Sequence, residues 1–328
     1  MIIRREFIAL LGGAATRPLA AHAQQPDRKR RIGVLMGTAP TKQYETYLAA
    51  FLRQLDEFGW KEGHNTRTEV RWWAGGPQQM RPVVAELLAF SPDVMMVYSN
   101  LALAVLKPMA GKVPVVFTGI GDPVGDGFVT SLARPGGNMT GFTGYDGPMG
   151  GKWLEVLKET APDLSRVLAI FHPETPVHQA FLHSIEDSAP HLGIKVTAAG
   201  IHDAAEIESA ISSFATHENG GMIVLPHVIT WANENLFIAM ELQHRLPAIF
   251  SSPGSVTAGG LVSYAFDFEE SFRKSAEYVN RILRGEKPSD LPVQQPTKYM
   301  LTFNLKTAKA IGLNIPPTML ARADEVIE

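Results

Sequence analysis

The sequence predicts an α/β fold of two lobes, each with a parallel sheet covered by helices. Three observations lead there. Short apolar runs of strand length alternate with amphipathic helical stretches, and that alternation breaks off and restarts near mid-chain. The chain has 328 residues with 45% hydrophobic content, enough to bury two sizeable cores.

Residues 31–36 form the first strand-like run. Leu48, Phe51, Leu52 and Leu55 follow at helical spacing and end at Gly59, a C-cap residue type. Residues 68–73 give a second strand. Met80, Val83, Val84, Leu87 and Leu88 mark a second helix, in which Pro82 is tolerable only in the first turn. Residues 93–99 and 113–120 are strands of the fully buried kind, separated by a short helix.

The pattern then begins again. Trp153, Leu154 and Leu157 mark a helix, and residues 166–171 a strand. Phe181, Leu182 and Ile185 mark a helix closed by Gly193. Strands are expected at 195–199, 222–225, 247–250 and 261–265. A late helix through Phe272, Ala276, Val279 and Leu283 stops at Gly285, and the Pro-rich stretch 288–296 is extended. The C-terminal helix is capped by Asn304 and closed by Gly312. There is no internal sequence repeat.

The segment from Met1 to Ala23 has the plan of a removable export signal: Arg4-Arg5, an apolar small-residue stretch, then Ala21-His22-Ala23 as a cleavage site. The apolar stretch is shorter than the roughly 20 residues a bilayer span needs. The paired arginines before Phe7 suggest the twin-arginine route, although Ile3 and Ala9 depart from its pattern, and the general route stays open. Cleavage after Ala23 would leave a protein free in the periplasm, with no membrane anchor.

Formal net charge is −3, which argues against a nucleic-acid partner. The run Arg28-Lys29-Arg30-Arg31 reads as a solvated arm or a small basic patch. With no cysteine in the chain, disulfides, thiolate catalysis and cysteine-ligated zinc are excluded.

In parallel α/β sheets, ligands bind beyond the carboxyl ends of the strands. Polar and glycine residues stand at six such ends: Gly37-Thr38, Ser99-Asn100, Gly119 with Asp122, His172-Pro173-Glu174, Pro226-His227 and Ser251-Ser252. Each pair alone is equally a helix N-cap; together they outline a cleft. Sharper chemistries fail. The stretch Gly119-Ile120-Gly121-Asp122-Pro123-Val124-Gly125 places its third glycine one residue late for a dinucleotide loop. There is no Gly-x-Ser-x-Gly elbow, Walker loop or His-Glu-x-x-His. His178 and His183 are five apart, poorly spaced for one helical face, and read as surface residues. Trp72-Trp73 offers a stacking platform or core packing, with at most one ring facing any given place.

Longer stretches carry a resemblance. Glu69-Val70-Arg71-Trp72, Gly121-Asp122-Pro123-Val124, Leu132-Ala133-Arg134-Pro135-Gly136-Gly137-Asn138-Met139-Thr140-Gly141 and Gly259-Gly260-Leu261-Val262-Ser263-Tyr264 are four of them. The closing run contains Asn304-Leu305-Lys306-Thr307-Ala308 and Ile315-Pro316-Pro317. With these, the chain resembles the periplasmic substrate-binding proteins of ABC importers, in the group that includes tryptophan- and phenylalanine-binding members. One departure is Ala265-Phe266, where relatives often carry Gly-Pro.

The resemblance implies a type I periplasmic-binding fold, two Rossmann-like lobes joined by three crossings near 140–144, 264–267 and 299–303. Lobe one would hold residues 30–142 with 268–297, and lobe two residues 143–267 with 298–328. It implies a monomer that needs no cofactor or metal. A small solute, an amino acid or an aromatic or carboxylate compound, would be captured by interlobe closure and passed to permease and ATPase subunits. Strand-end position nominates Thr38, Ser99, Asn100, Gly119 and Asp122 from lobe one, His172, Glu174, His227 and Ser252 from lobe two, and Tyr264 from a crossing. Two rivals remain: a sensor subunit that presents its ligand to a receptor, and an enzyme using Asp122 and Glu174. A cysteine-pair racemase of related build is excluded.

Overall fold

A computed structural model describes residues 28–328; the export signal expected at 1–23 lies outside the described residues. In chain order the first elements are β1 (Arg30–Met36), α1 (Lys42–Glu57), β2 (Thr66–Trp72), α2 (Pro77–Ala89), β3 (Val94–Tyr98), α3 (Asn100–Leu106), β4 (Val115–Ile120) and β5 (Met139–Thr143). Next come α4 (Met149–Thr160), β6 (Arg166–Phe171), α5 (Pro176–Ser188), β7 (Lys195–Gly200), α6 (Ala204–Phe214), β8 (Gly220–Val224), α7 (Val228–Ala232) and α8 (Glu234–His244). The last are β9 (Ala248–Phe250), α9 (Pro253–Thr257), β10 (Val262–Phe266), α10 (Phe268–Leu283), β11 (Tyr299–Asn304), α11 (Leu305–Ile311), α12 (Pro317–Leu320) and β12 (Glu325–Ile327).

The strands form two sheets. The first, in order β2-β1-β3-β4-β5, is parallel throughout. The second has order β12-β11-β10-β9-β8-β6-β7 and is parallel except where β10 meets β11. Burial explains the strand composition. All five residues of β3 and of β8 are buried, because helices cover both faces and no side of the strand can be polar.

The two sheets are tied by three passages of chain. The chain leaves β5 through Tyr145 for α4. It returns from β10 to α10 at Asp267, and α10 packs on α1, β3, β4 and β5. The segment after α10 then runs back along β5, with Thr143 N–H donating to Gln294 O at 2.9 Å and Gln294 N–H to Gly141 O at 3.0 Å, before entering β11 of the second sheet. One apolar cluster is continuous through these passages, from Val34, Tyr98 and Phe272 to Trp153 and Ile223. Phe266 and Phe268 stack across the Asp267 passage, ring centroids 4.0 Å apart.

Several local expectations hold. Asn304 caps α11 by accepting from Thr307 N–H at 3.1 Å, and Gly312 follows it at φ 79°. Others need correction. The helix carrying Pro82 starts at Pro77, so Pro82 lies in its second turn. Its missing N–H leaves the Gln78 carbonyl without its helical donor. Arg28 and Arg30 are no free arm, because the Asp93 carboxylate accepts from Arg28 Nη2 and from Arg31 N–H, with Arg30 3.8 Å away. Trp72 and Trp73 are both half-buried and pack on different apolar clusters.

Candidate functional site

Between the sheets lies a cavity of about 770 Å³, the size of a small-molecule site. It opens at the carboxyl ends of β3 and β4 on one side and of β6 and β8 on the other. The lobes touch around it. A Cβ on Gly121 would come 3.2 Å from Val177 of α5. Trp231 of α7 lies nearly parallel to Tyr98 at the end of β3, with centroids 6.3 Å apart.

The first wall begins with Ser99. Its backbone is held at φ 90°, a region a residue with a side chain rarely adopts, and strain of this kind costs about 1–3 kcal/mol and gathers at functional sites. The turn aims Ser99 Oγ at Ala102 N–H and leads directly into Asn100. Asn100 Oδ1 accepts from Gly121 N–H at 2.9 Å, while Nδ2 donates to Asp126 Oδ2 at 2.6 Å. Asn100 therefore couples the end of β3 to the loop after β4 and presents Asp126 to the cavity. Burial pushes the Asp126 carboxyl up from its ordinary value, and the Asn100 amide pulls against that shift. Gly119 is required beside them: its φ is 67°, and a Cβ there would lie 2.6 Å from the Tyr98 ring.

The second wall is a histidine frame. His172 stacks on His227 with centroids 4.2 Å apart. Behind them His178 is fully buried. Its Nδ1 accepts from His172 N–H at 2.8 Å and its Nε2 reaches Pro226 O at 3.1 Å. A carbonyl only accepts, so the proton sits on Nε2 and the ring is neutral. Burial accordingly pulls His178 down to about 4 and His227 to about 3. His227 also caps α7, accepting from Ile229 N–H at 3.2 Å. At the rim, Glu174 is exposed and bridges His172 and His202 at 3.2 and 3.3 Å.

The roof and floor are aromatic. Tyr145, Phe266 and Phe268 come from the passages between the sheets, joined by Tyr98 and Trp231. Trp231 Nε1 is buried without a hydrogen-bond partner. Among the described residues, no Lys or Arg lines the cavity.

Six of the ten nominated residues line this space: Ser99, Asn100, Gly119, His172, Glu174 and His227. Four do not. Thr38 is buried at the end of β1. Asp122 is exposed and only caps its own turn, accepting from Gly125 N–H at 2.8 Å. Ser252 caps α9 through Gly254 N–H at 3.3 Å. Tyr264 stacks on Tyr299 at 5.5 Å instead of turning inward. The structure therefore does not bring Asp122 and Glu174 together in the cavity as an acid–base pair.

Sequence reasoning missed Asp126, Trp231 and the aromatic lining. It also placed His178 on the surface. The signal for His178 was present, since it shares the stripe 178, 181, 182, 185 with Phe181, Leu182 and Ile185, all buried. Asp126 carried no such signal, because it sits in an irregular loop after β4. Among the described residues no group of three or more His, Asp or Glu is placed to hold a metal ion.

Two parallel-sheet lobes closing on a cavity at their strand ends define a type I periplasmic-binding fold. The chain belongs to the ABC transporter substrate binding protein family, whose model matches residues 43–327. A tyrosine-binding protein of Clostridioides difficile is 25% identical over 271 residues, which are 80% of this chain and 75% of that protein. Two solved structures share the fold at a TM-score of 0.84. One, from Streptococcus pneumoniae, is an ABC domain in complex with L-Trp; it is 21% identical, with 92% of this chain and 100% of that chain covered. The other, a conserved domain protein of Vibrio cholerae, is 24% identical, with 91% and 100% covered. The chain is thus a solute-binding protein of the ABC transporter family, built to capture a small organic molecule. No helix among the described residues is long and apolar enough to cross a membrane.

Proposed function

We propose that this protein is the periplasmic, monomeric, non-enzymatic receptor of an importer, freed by cleavage after Ala23, and that its solute is an amino acid or a related aromatic compound. The observation that carries this reading is the aromatic lining of the cavity, where Tyr98 of one lobe and Trp231 of the other stack directly on each other, ring centroids 6.3 Å apart. A flat apolar solute placed there would touch both lobes at once, and only contacts made to both favour the closed state. The names of the tyrosine-binding relative and of the L-Trp complex support the same ligand class. Lobe one is taken as residues 30–142 with 268–297 and lobe two as 143–267 with 298–328. Packing of α10 on the first sheet supports that division.

Ser99, Asn100, Gly119, His172 and His227 are the expected contacts from the original nominations, with Glu174 at the rim. Thr38, Asp122, Ser252 and Tyr264 would support the walls from outside the cavity. The absence of turnover is part of the reading and rests on the family to which the chain belongs.

A thermal-shift screen of the chain from Gln24 onward, against amino acids, aromatic acids, amines, nucleosides and sugars, tests the reading. A solute at 100 times its dissociation constant should add about 2.7 kcal/mol to the folded state. The expected result is a shift confined to one chemical class, with the solute recovered unchanged. A folded, ligand-free protein that responds to no class would sink solute capture, and a chemically altered solute would sink the non-enzymatic reading.

A further inference from the structure

The charges facing the cavity are lopsided. Asp126 presents one half-buried carboxylate, of which Oδ2 is engaged by Asn100. Asp126 forms no ion pair with any Lys or Arg among the described residues. Lys107 donates to Gly127 O at 2.5 Å and does not line the cavity. Glu174 adds a second carboxylate at the rim, where it pairs with His172 and with His202, whose value is raised by Glu206 and Glu174. The two imidazoles of the opposite wall are pushed toward their neutral forms by burial, and so offer no positive charge near neutral pH.

The cavity is also lined by seven aromatic side chains, Tyr98, Phe128, Tyr145, Phe181, Trp231, Phe266 and Phe268. Ring faces carry negative electrostatic potential and attract cations. A solute carboxylate entering this space would meet no Lys or Arg among the described residues, only neutral donors and the backbone N–H groups at the starts of α2, α3, α5 and α7, and Asp126 would repel it. An ammonium would meet the Asp126 carboxylate and an aromatic lining.

We infer that the solute is an apolar, aromatic-bodied amine lacking a carboxylate, with its ammonium paired to Asp126. This rests on the solute-capture reading above and narrows it. Asn100 then acts as the positioning residue, because its amide holds Asp126 toward the cavity and ties it to Gly121. Truncating one partner of a buried, hydrogen-bonded charge pair costs enough to lower affinity by about 100-fold.

Calorimetric titration with three matched solutes, tryptamine, L-tryptophan and indole-3-propionate, decides the matter, repeated with phenethylamine, L-phenylalanine and 3-phenylpropionate. Expected is binding of at least one amine, no tighter binding of its amino acid, and a loss of about 100-fold or more for its acid. Asp126→Asn keeps an oxygen for the Asn100 amide, so it should melt like the parent while losing about 100-fold in amine affinity. Asp163→Asn, exposed ahead of β6 at the end of the sheet away from the cavity, should bind like the parent.

An acid that binds as well as its amine overturns the inference. So does an amino acid bound tenfold or more tightly than its amine, or an Asp126→Asn variant with unchanged affinity. A response in the broad screen only to solutes without a cationic nitrogen would overturn it too, while leaving solute capture standing. Silence across the whole screen removes solute capture itself, and this inference with it.

Discussion

On the first lobe the cleft wall is a strained strand end followed by a loop, Ser99 at φ 90° and Asn100 reaching across to Asp126. On the second lobe the corresponding strand ends are locked from behind by His178, which ties the backbone after β6 to the backbone after β8. The polar groups of the first wall spend their hydrogen bonds on one another and on nearby backbone, and leave the half-buried Asp126 carboxylate lining the cavity. The second wall is built on the buried His178, with His172, Glu174, Thr175 and His227 facing the cavity. Two lobes of one architecture are thus built differently at the cleft: one wall is a loop held by side-chain hydrogen bonds, the other a pair of strand ends tied from behind by a buried histidine.

The sharpest way to break this comparison is His178→Ala. It would leave a buried N–H and a carbonyl unpartnered and open a cavity under α5, a loss of about 3 kcal/mol. Asn100→Ala on the other wall should cost about 1 kcal/mol. Urea midpoints of the two variants check the ordering, and equal losses would mean that the walls are not differently built.

Acidification probes the same asymmetry. His178 is neutral in the fold with its value lowered from 6.5 to about 4, so between those limits the unfolded chain binds more protons than the folded one. Stability is therefore complete above about pH 6.5 and declines as pH falls toward 4, by up to about 1.4 kcal/mol per pH unit from this group. Denaturation followed from pH 7 to pH 4 should show that slope, reduced in a His178→Gln variant.

A binding measurement tests the aromatic contact between the lobes. Trp231→Ala should weaken the solute found in the screen by about 30-fold, as expected of a central aromatic contact. Trp231→Phe should recover most of that loss, since it keeps a ring and removes a buried N–H that has no partner. The smallest effect is expected at Asp122→Ala, where only a turn cap is lost: about 1 kcal/mol or less of stability and no change in affinity. A binding defect there would mean that the loop after β4 reads the solute through a different carboxylate.

Much of the fold was legible because it follows from local periodicity. Fully apolar runs such as β3 and β8 must be buried on both faces, and the caps at Asn304 and Gly312 follow from short-range hydrogen bonding and backbone freedom. The helix through Pro82 was legible as a helix but not in its start, which Pro77 sets. Strand ends also located the cleft, since polar residues after buried strands must be either caps or ligands. Which of the two they were could not be read. Ser252 and Asp122 proved to be caps, whereas Asn100 and His227 each satisfy a local backbone group and still line the cavity.

The sequence by itself determined the alternating elements, the division into two α/β units and the edge of each sheet where a solute would lie. Those follow from the spacing of apolar residues and from how few ways strands and helices can be layered. Tertiary structure decided the rest. The passages between the sheets bring Tyr98 to Trp231 and Phe266 to Phe268, and the packing of α5 turns His178 inward. Asp126 became the cavity's carboxylate in place of Asp122, because a loop residue's direction is set by the partner it finds, and Asp126 finds Asn100.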